Sequence, residues 1–167
     1  MEVLNKNMTN PVNRPVKVVQ FGEGNFLRGF VDYMIDIANE QGKFDGSIVL
    51  IKPIEFGNLE NFHKQDCQYT VSLRGRVDGE AKILNRQITS VVDAVDAYTE
   101  YKKYMELAEI DTLRFVVSNT TEAGIVFGGF SSNLSVSSKT IPASVVLDTT
   151  KRRVSISVSP IYFSYSV

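Results

Sequence analysis

The segment Val18-Val19-Gln20-Phe21-Gly22-Glu23-Gly24-Asn25-Phe26-Leu27-Arg28-Gly29-Phe30 holds the residues best suited to chemistry in this chain. An apolar run ends at Gly22, where glycine permits a tight turn at a strand end. Gly24 offers bare backbone to a pyrophosphate, and the free N–H groups of a following helix carry the partial positive charge that holds an anion. Arg28, in the first helical turn, adds a cation suited to a diphosphate. The third glycine of the generic dinucleotide fingerprint, due three residues after Gly24, is replaced by Leu27, and Gly29 follows two residues later. On spacing alone, a plain strand-to-helix turn accounts for the pattern about as well. A glycine turn for S-adenosylmethionine is a third reading, against which Arg28 argues.

Two further segments bear on a nucleotide site. The end of the next strand normally carries an acid for the ribose diol of NAD, or a base that tolerates the 2′-phosphate of NADP. Here it is Lys52, followed by Glu55, so the choice between the cofactors stays open and a solvated strand-end charge fits Lys52 equally well. Ser118-Asn119-Thr120-Thr121-Glu122-Ala123-Gly124 follows a third apolar run, at the kind of strand end that faces the crevice of an open α/β sheet. Its small hydroxyl and amide groups suit a nicotinamide ribose, and an N-cap at Thr120 or Thr121 is the plainer reading. His63 and Cys67 lie four apart in a helix-prone stretch, Asn58 to Gln68, where they read as ordinary residues without an identifiable third partner.

These residues need elements to position them. Val16 to Phe21 and Ile48 to Ile51 read as short buried strands. Between them, Phe26, Phe30, Met34, Ile37 and Ala38 keep helical spacing, which predicts a helix over Asn25 to Gln41 and a parallel βαβ unit. Tyr69 to Val77 and Ala81 to Val92, joined through Asp78 and Gly79, read as a hairpin. Asp93 suits a helix cap, and Ala94, Tyr98, Tyr101, Met105 and Ala108 predict a helix reaching Asp111, before a third parallel strand over Leu113 to Ser118. The fold class expected is α/β: a Rossmann-like parallel sheet with an inserted β-hairpin, incomplete, followed by a β-prone Ser/Thr-rich tail.

Composition sets outer limits. The chain has 167 residues, 43% hydrophobic and 22% charged, with a formal net charge of −1, as expected of a globular domain. That balance does not favour nucleic acid as a partner. A single cysteine excludes an internal disulfide, and one histidine beside it leaves too few soft ligands for a self-contained zinc site, so no metal is expected. No secretory leader and no run near the roughly 18 apolar residues of a membrane span is evident, which makes a reducing cytoplasm the expected compartment. Composition shifts near Gly128. Residues 1–127 mix both charge signs with apolar residues, whereas 128–167 are crowded with Ser and Thr and hold one acid, Asp148. Within that tail Val154, Ile156 and Val158 alternate with serines, and Ile161, Phe163, Tyr165 and Val167 continue the alternation, the mark of a strand with one apolar face. The basic triplet Lys151-Arg152-Arg153 reads as a solvated turn.

Several of these motifs together resemble the N-terminal half of the long-chain polyol dehydrogenase family typified by mannitol 2-dehydrogenase, and most nearly its tagaturonate reductase (altronate oxidoreductase) branch. The resemblance rests on Phe21 to Phe30, on Lys52-Pro53-Ile54, on Gln68-Tyr69-Thr70-Val71 with Leu73-Arg74-Gly75, and on Ser118 to Gly124; it covers about residues 14–127. It implies an NAD-dependent oxidoreductase acting on a sugar acid or polyol, with mannitol 2-dehydrogenase and fructuronate reductase activities as alternatives. By position it implies that Gly22, Gly24, Asn25, Phe26 and Arg28 line the cofactor pyrophosphate. Lys52 would lie near the adenosine ribose, and Asn119, Thr120 and Glu122 would face the nicotinamide side. The family's catalytic lysine, followed five residues later by asparagine, has no counterpart among these lysines, so no catalytic residue is assigned in this chain. Residues 1–127 are thus expected to form the NAD-binding part. The divergent 128–167 tail has the look of a truncation or frameshift product, and an uncovered sheet edge would favour self-association. A non-catalytic fragment or interaction module is the alternative from another class.

Overall fold

The computed structural model describes residues 3–119, 143–148 and 153–158. After a short N-terminal helix α1 (Lys6–Thr9), strand β1 (Val16–Phe21) leads through the glycine turn into helix α2, which spans 25–40. Helix α2 is α-helical over Asn25–Leu27 and Tyr33–Glu40, with a wider π turn over Arg28–Asp32 between them. Strand β2 (Ser47–Lys52), helix α3 (Glu60–Lys64), the hairpin β3 (Tyr69–Val77) and β4 (Glu80–Ile88), strand β5 (Val91–Asp96), helix α4 (Tyr101–Glu106) and strand β6 (Phe115–Ser118) follow.

The main sheet has the order β5-β2-β1-β6, with every pairing parallel. β2 is buried throughout and β1 is buried from Val18 onward, which is why both read in the sequence as unbroken apolar runs and not as alternation. One face of the sheet carries Val19, Phe21, Val49, Ile51 and Val95 against Tyr104, Leu107 and Leu113. The other carries Val18, Ile48 and Leu50 against Leu59, Cys67, Tyr69 and Ile88, with Tyr33 and Ile35 of α2 packed beside them. Chain order therefore runs outward from β1 through β2 to β5, then returns across the sheet to place β6 on the other side of β1. The gap between β1 and β6 is where strand order reverses, the place at which open α/β sheets bind ligands beyond the C-terminal strand ends.

The α/β class, the βαβ unit and the inserted hairpin agree with the sequence reading. Asp78 and Gly79 both adopt positive φ, 54° and 83°, as a tight two-residue hairpin turn requires. Only the hairpin base, at Tyr69 and Ile88, is buried, and the rest projects outward. Two expectations are corrected. The stretch from Ala81 to Val92 is not one strand, since β4 ends at Ile88 and β5 begins at Val91; Ala94 and Val95 belong to that parallel strand and the helix starts at Tyr101. Burial of Ala94 within the sheet overrides its helical spacing. Likewise, the helical part of the Asn58 to Gln68 stretch is only Glu60–Lys64. In the tail, β7 (Ala143–Asp148) and β8 (Arg153–Val158) form an antiparallel pair, so the Val154 to Val158 alternation does fall on a strand. The alternation at Ile161, Phe163, Tyr165 and Val167, and the ends of the basic triplet at Lys151 and Arg152, lie outside the described residues.

α2 is tied down at its far end. Asp36 accepts from the Thr89 and Ser90 N–H groups at 2.9 and 3.1 Å and pairs with Arg86 at 2.8 Å. Asn39 grips both backbone groups of Gly46 just before β2. With its C-terminal half so anchored to the hairpin base and to β2, the start of α2 is fixed over the end of β1.

Candidate functional site

The site grows from the end of β1. Gly22 donates its N–H to the Ile51 carbonyl at 2.9 Å, continuing the sheet, and then takes φ +109°. An L-residue rarely adopts that conformation. A Cβ at this position would also stand 2.9 Å from Asn119 Oδ1 and 3.6 Å from Leu27 Cδ1. The bare backbone of Gly22 is therefore what lets the residue after β6 close in on the residue after β1. Gly24 has ordinary angles, φ −71° and ψ 163°, and a Cβ built there would meet no atom of the described residues within 4 Å. It opens α2 without a side-chain cap, its carbonyl accepting from Arg28 N–H at 3.3 Å. Among the described residues the first turn of α2 is thus left without a side-chain cap, beside open space at Gly24, an arrangement that suits anions.

Leu27, in place of the fingerprint's third glycine, is buried beneath this turn. It fills by side-chain packing the space that a glycine would close by direct helix-to-strand approach. Gly29 has open space around it and has no such role. Phe26 stacks on Phe30, ring centroids 5.7 Å apart, and both are exposed, at 65% and 50%. Arg28 does not extend freely toward the turn. Its guanidinium lies over the Phe62 and Tyr69 rings at 5.3 and 5.4 Å, and its NH2 donates to Asn25 Oδ1, while its Nε is a buried donor without a partner among the described residues.

Below Arg28 lies a polar network that the sequence did not disclose. Asp32 is fully buried; its Oδ2 accepts from the Tyr69 hydroxyl at 2.5 Å and from Gln20 Nε2 at 3.5 Å. Gln20 also donates to the Gly22 carbonyl at 3.2 Å. Among the described residues Asp32 Oδ1 and Gln20 Oε1 have no hydrogen-bond partner. Burial pushes the Asp32 carboxyl up to about 6, against the opposing pull of the Tyr69 and Gln20 hydrogen bonds and the Arg28 charge. Burial and the facing carboxylate also drive the Tyr69 hydroxyl far above the usual range, so it remains a donor. The network connects β1, α2 and β3 directly under the glycine turn. Asp32 stands four residues after Arg28 on one helix face, which was the sole sequence clue, and its partner Tyr69 is too distant in the chain to infer.

At the ends of β2 and β5 the arrangement differs. Lys52 is 1% exposed, so the solvated reading does not hold. Its ammonium pairs with Asp96 at 2.9 Å and donates to the Ile54 and Glu55 carbonyls at 2.6 and 3.4 Å. Burial by itself would raise the Asp96 carboxyl, but the Lys52 hydrogen bond and the Tyr98 and Thr99 N–H groups outweigh it and hold the group below the usual range. The structure thus brings Gly22, Gly24, Asn25, Phe26, Arg28 and Asn119 to one strand-end crevice and places Lys52 in a separate ion pair. Thr120 and Glu122 lie outside the described residues.

Comparison with known proteins sets this geometry in a family. The mannitol dehydrogenase Rossmann domain model matches residues 16–160. Altronate oxidoreductase of Bacillus subtilis is 44% identical over 127 residues, 75% of this chain and 26% of that protein. The Phocaeicola vulgatus altronate oxidoreductase is 43% identical over 76% of this chain and 26% of its own length. The chain therefore spans about a quarter of these curated relatives. Among solved structures, Pseudomonas fluorescens mannitol 2-dehydrogenase, in its ternary complex with NAD and D-mannitol, superposes with a TM-score of 0.57 at 19% identity, over 71% of this chain and 26% of that one. A substrate-free D-sorbitol dehydrogenase does so with a TM-score of 0.59 at 19% identity, over 77% and 29%. The generic glycine pattern left several nucleotide folds open, but a family match that begins at β1 and runs past β8 does not: this chain belongs to the mannitol dehydrogenase family, through its Rossmann domain.

Proposed function

We propose that the chain binds NAD at the glycine turn and is the cofactor-binding part of an altronate oxidoreductase, with 1–127 as the nucleotide-binding region and 128–167 as a divergent tail. The observation that carries the reading is the meeting of Gly22 with Asn119 where strand order reverses, beside an uncapped helix start with open space at Gly24. The residues fit a dinucleotide: the first-turn N–H groups and bare Gly24 suit a pyrophosphate, and Arg28 Nε is a buried donor that lacks an acceptor among the described residues.

Gly22, Gly24, Asn25, Phe26 and Arg28 would hold the pyrophosphate. Arg28 acts largely by fixing the Asn25 side chain, since its NH2 already bonds Asn25 Oδ1. Lys52 would close the adenosine-ribose end, its charge neutralised by Asp96. Asn119, Thr120 and Glu122 would face the nicotinamide ribose. When bound, NADH supplies a hydride, here for the keto group of tagaturonate to give altronate; the general acid for that step would come from outside this chain. The name shared by relatives at 43–44% identity supports altronate over mannitol or fructuronate as the substrate class. No described helix is long and apolar enough to cross a membrane. The outer edge of β6, unpaired among the described residues and with Phe115 55% exposed, would be the surface for self-association.

The test is a titration of the purified chain with NADH, following nucleotide fluorescence and melting temperature, with NADPH and S-adenosylmethionine in parallel. Selective stabilisation by NADH is expected, lost in Gly24→Asp. A folded chain indifferent to all three nucleotides would sink the reading and leave the non-catalytic interaction module in its place.

A further inference from the structure

Away from the glycine turn, three different metal-ligating groups meet. The His63 ring nitrogen, the Cys67 thiol and an Asp93 carboxylate oxygen all lie within 4.8 Å of one another. Counting histidines and cysteines in the sequence left no room for a metal site; the count omitted a carboxylate delivered from a distant strand. His63 sits in α3 and is exposed, Cys67 follows the helix and is buried, and Asp93 is half-buried in β5.

The backbone brings them together in two places. After α3 the chain folds back through Asp66 and Cys67, at φ 51° and 63°, with Cys67 N–H donating to the Phe62 carbonyl at 2.7 Å. That turn, and not a shared helix face, carries the thiol back beside His63. In β5 the register against β2 shifts between Val91 and Asp93, as at a bulge that re-aims a side chain on an edge strand. Around the thiol stand Asp93 and Asp66 as acids and Lys6 and Lys103 as bases. Burial and, next, the Asp93 charge push the Cys67 thiol up to about 11, so without a cation it keeps its proton. Asp93 is then held by Lys103 at 2.9 Å.

We propose that His63, Cys67 and Asp93 form a three-ligand site for a borderline-soft divalent cation of the zinc class, with water in the fourth position. One nitrogen, one sulfur and one oxygen donor match that ion and not magnesium or calcium, which prefer all-oxygen sets. Thiolate and carboxylate together balance its two positive charges. Binding is not a redox event: the thiol proton leaves to solvent, a sulfur-to-metal bond forms, and the cation takes the place of the Lys103 ammonium on Asp93. The bound ion joins α3 to the edge strand β5. The inference does not depend on the dinucleotide reading, because none of its residues belongs to the glycine turn.

The experiment is a titration of the folded chain with Zn2+ against a chromophoric chelator, and with Co2+ followed by absorption. One equivalent is expected, with a thiolate-to-cobalt charge-transfer band, release of about one proton and a higher melting temperature. Cys67→Ser should abolish the band. His63→Ala, at an exposed position where misfolding is not an issue, should weaken binding at least ~tenfold by removing a ligand. Lys103→Met should tighten it by removing the competitor for Asp93. A folded parent chain without the cobalt band, or His63→Ala binding as tightly as the parent, overturns the proposal.

Discussion

The two ends of the parallel sheet's strand pairs have opposite designs. Beyond β1 and β6 the surface is backbone: Gly22 at positive φ, Gly24 with open space around it, and an uncapped helix start. Beyond β2 and β5 the surface is closed by side chains, with Lys52 sealed between Asp96 and the Ile54 carbonyl. The first end keeps its hydrogen-bonding capacity unspent, as a ligand site must. The second has consumed its own, which makes it a structural joint that a ligand would meet as a neutral wall. Substitutions should separate these roles, because at the closed end they would cost stability, whereas at the open end they would cost binding, with stability lost as well where the backbone itself is special, as at Gly22.

The largest loss is expected at the closed end. Asp96→Asn leaves the buried Lys52 ammonium without its counter-charge, and breaking a buried pair in this way costs about 3–5 kcal/mol. Chemical denaturation would measure it. Since the Asp96 carboxyl is held below its unfolded value, its contribution is present above the ordinary carboxylate range and disappears as pH falls through the lowered folded value. The parent and Asp96→Asn should therefore converge in stability in strong acid. A variant as stable as the parent at neutral pH would show that the joint is not structural.

Beneath the open end, Asp32 has the opposite sign. Its folded value of about 6 lies above the unfolded value of 3.8, so ionised Asp32 is a burden on the fold at neutral pH. That difference corresponds to roughly 3 kcal/mol, which is fully absent below the unfolded value and grows as pH rises toward about 6. Asp32→Asn should remove the burden, raising stability at pH 7 by up to that order and flattening the profile between about pH 4 and 6. The Tyr69 hydroxyl still has an acceptor in the amide oxygen. If the variant gains nothing in denaturation at pH 7, the carboxylate is better compensated than its unpartnered Oδ1 implies.

What the sequence revealed and what it hid follow the same division. The open end is built from neighbours in the chain, so Gly22, Gly24, Asn25 and Arg28 are legible in the sequence as a strand-turn-helix unit. The closed end and the polar network are built from residues far apart. Lys52 meets Asp96, and Asp32 meets Tyr69, only because β5 and the hairpin fold back on the first βαβ unit. β5 itself was missed because a parallel strand buried on both faces shows no alternation. Asp93-Ala94 in its middle also mimics a helix cap followed by helical spacing. His63 and Cys67 were visible as a pair, whereas their third partner comes from that same misread strand.

At the open end the two glycines should part company. Gly22→Ala forces an L-residue into φ +109° and sets its Cβ 2.9 Å from Asn119 Oδ1. Strain of this kind costs of order 1–3 kcal/mol. A drop in melting temperature and a weaker NADH response should appear together, since the meeting of the two strand ends is itself disturbed.

Gly24→Ala is the smallest effect on the fold and the sharpest on the comparison. Its backbone angles suit any residue, and the added methyl meets no atom of the described residues within 4 Å, so stability should stay within about 0.5 kcal/mol of the parent. The same methyl would occupy the space through which a pyrophosphate approaches the first-turn N–H groups. NADH affinity should therefore fall while the melting temperature of the free chain is unchanged, a dissociation that Gly22→Ala cannot show. If instead Gly24→Ala binds NADH as the parent does, the open space beside Gly24 is ordinary solvent, and the anion, if one binds, approaches from the Asn119 side of the turn.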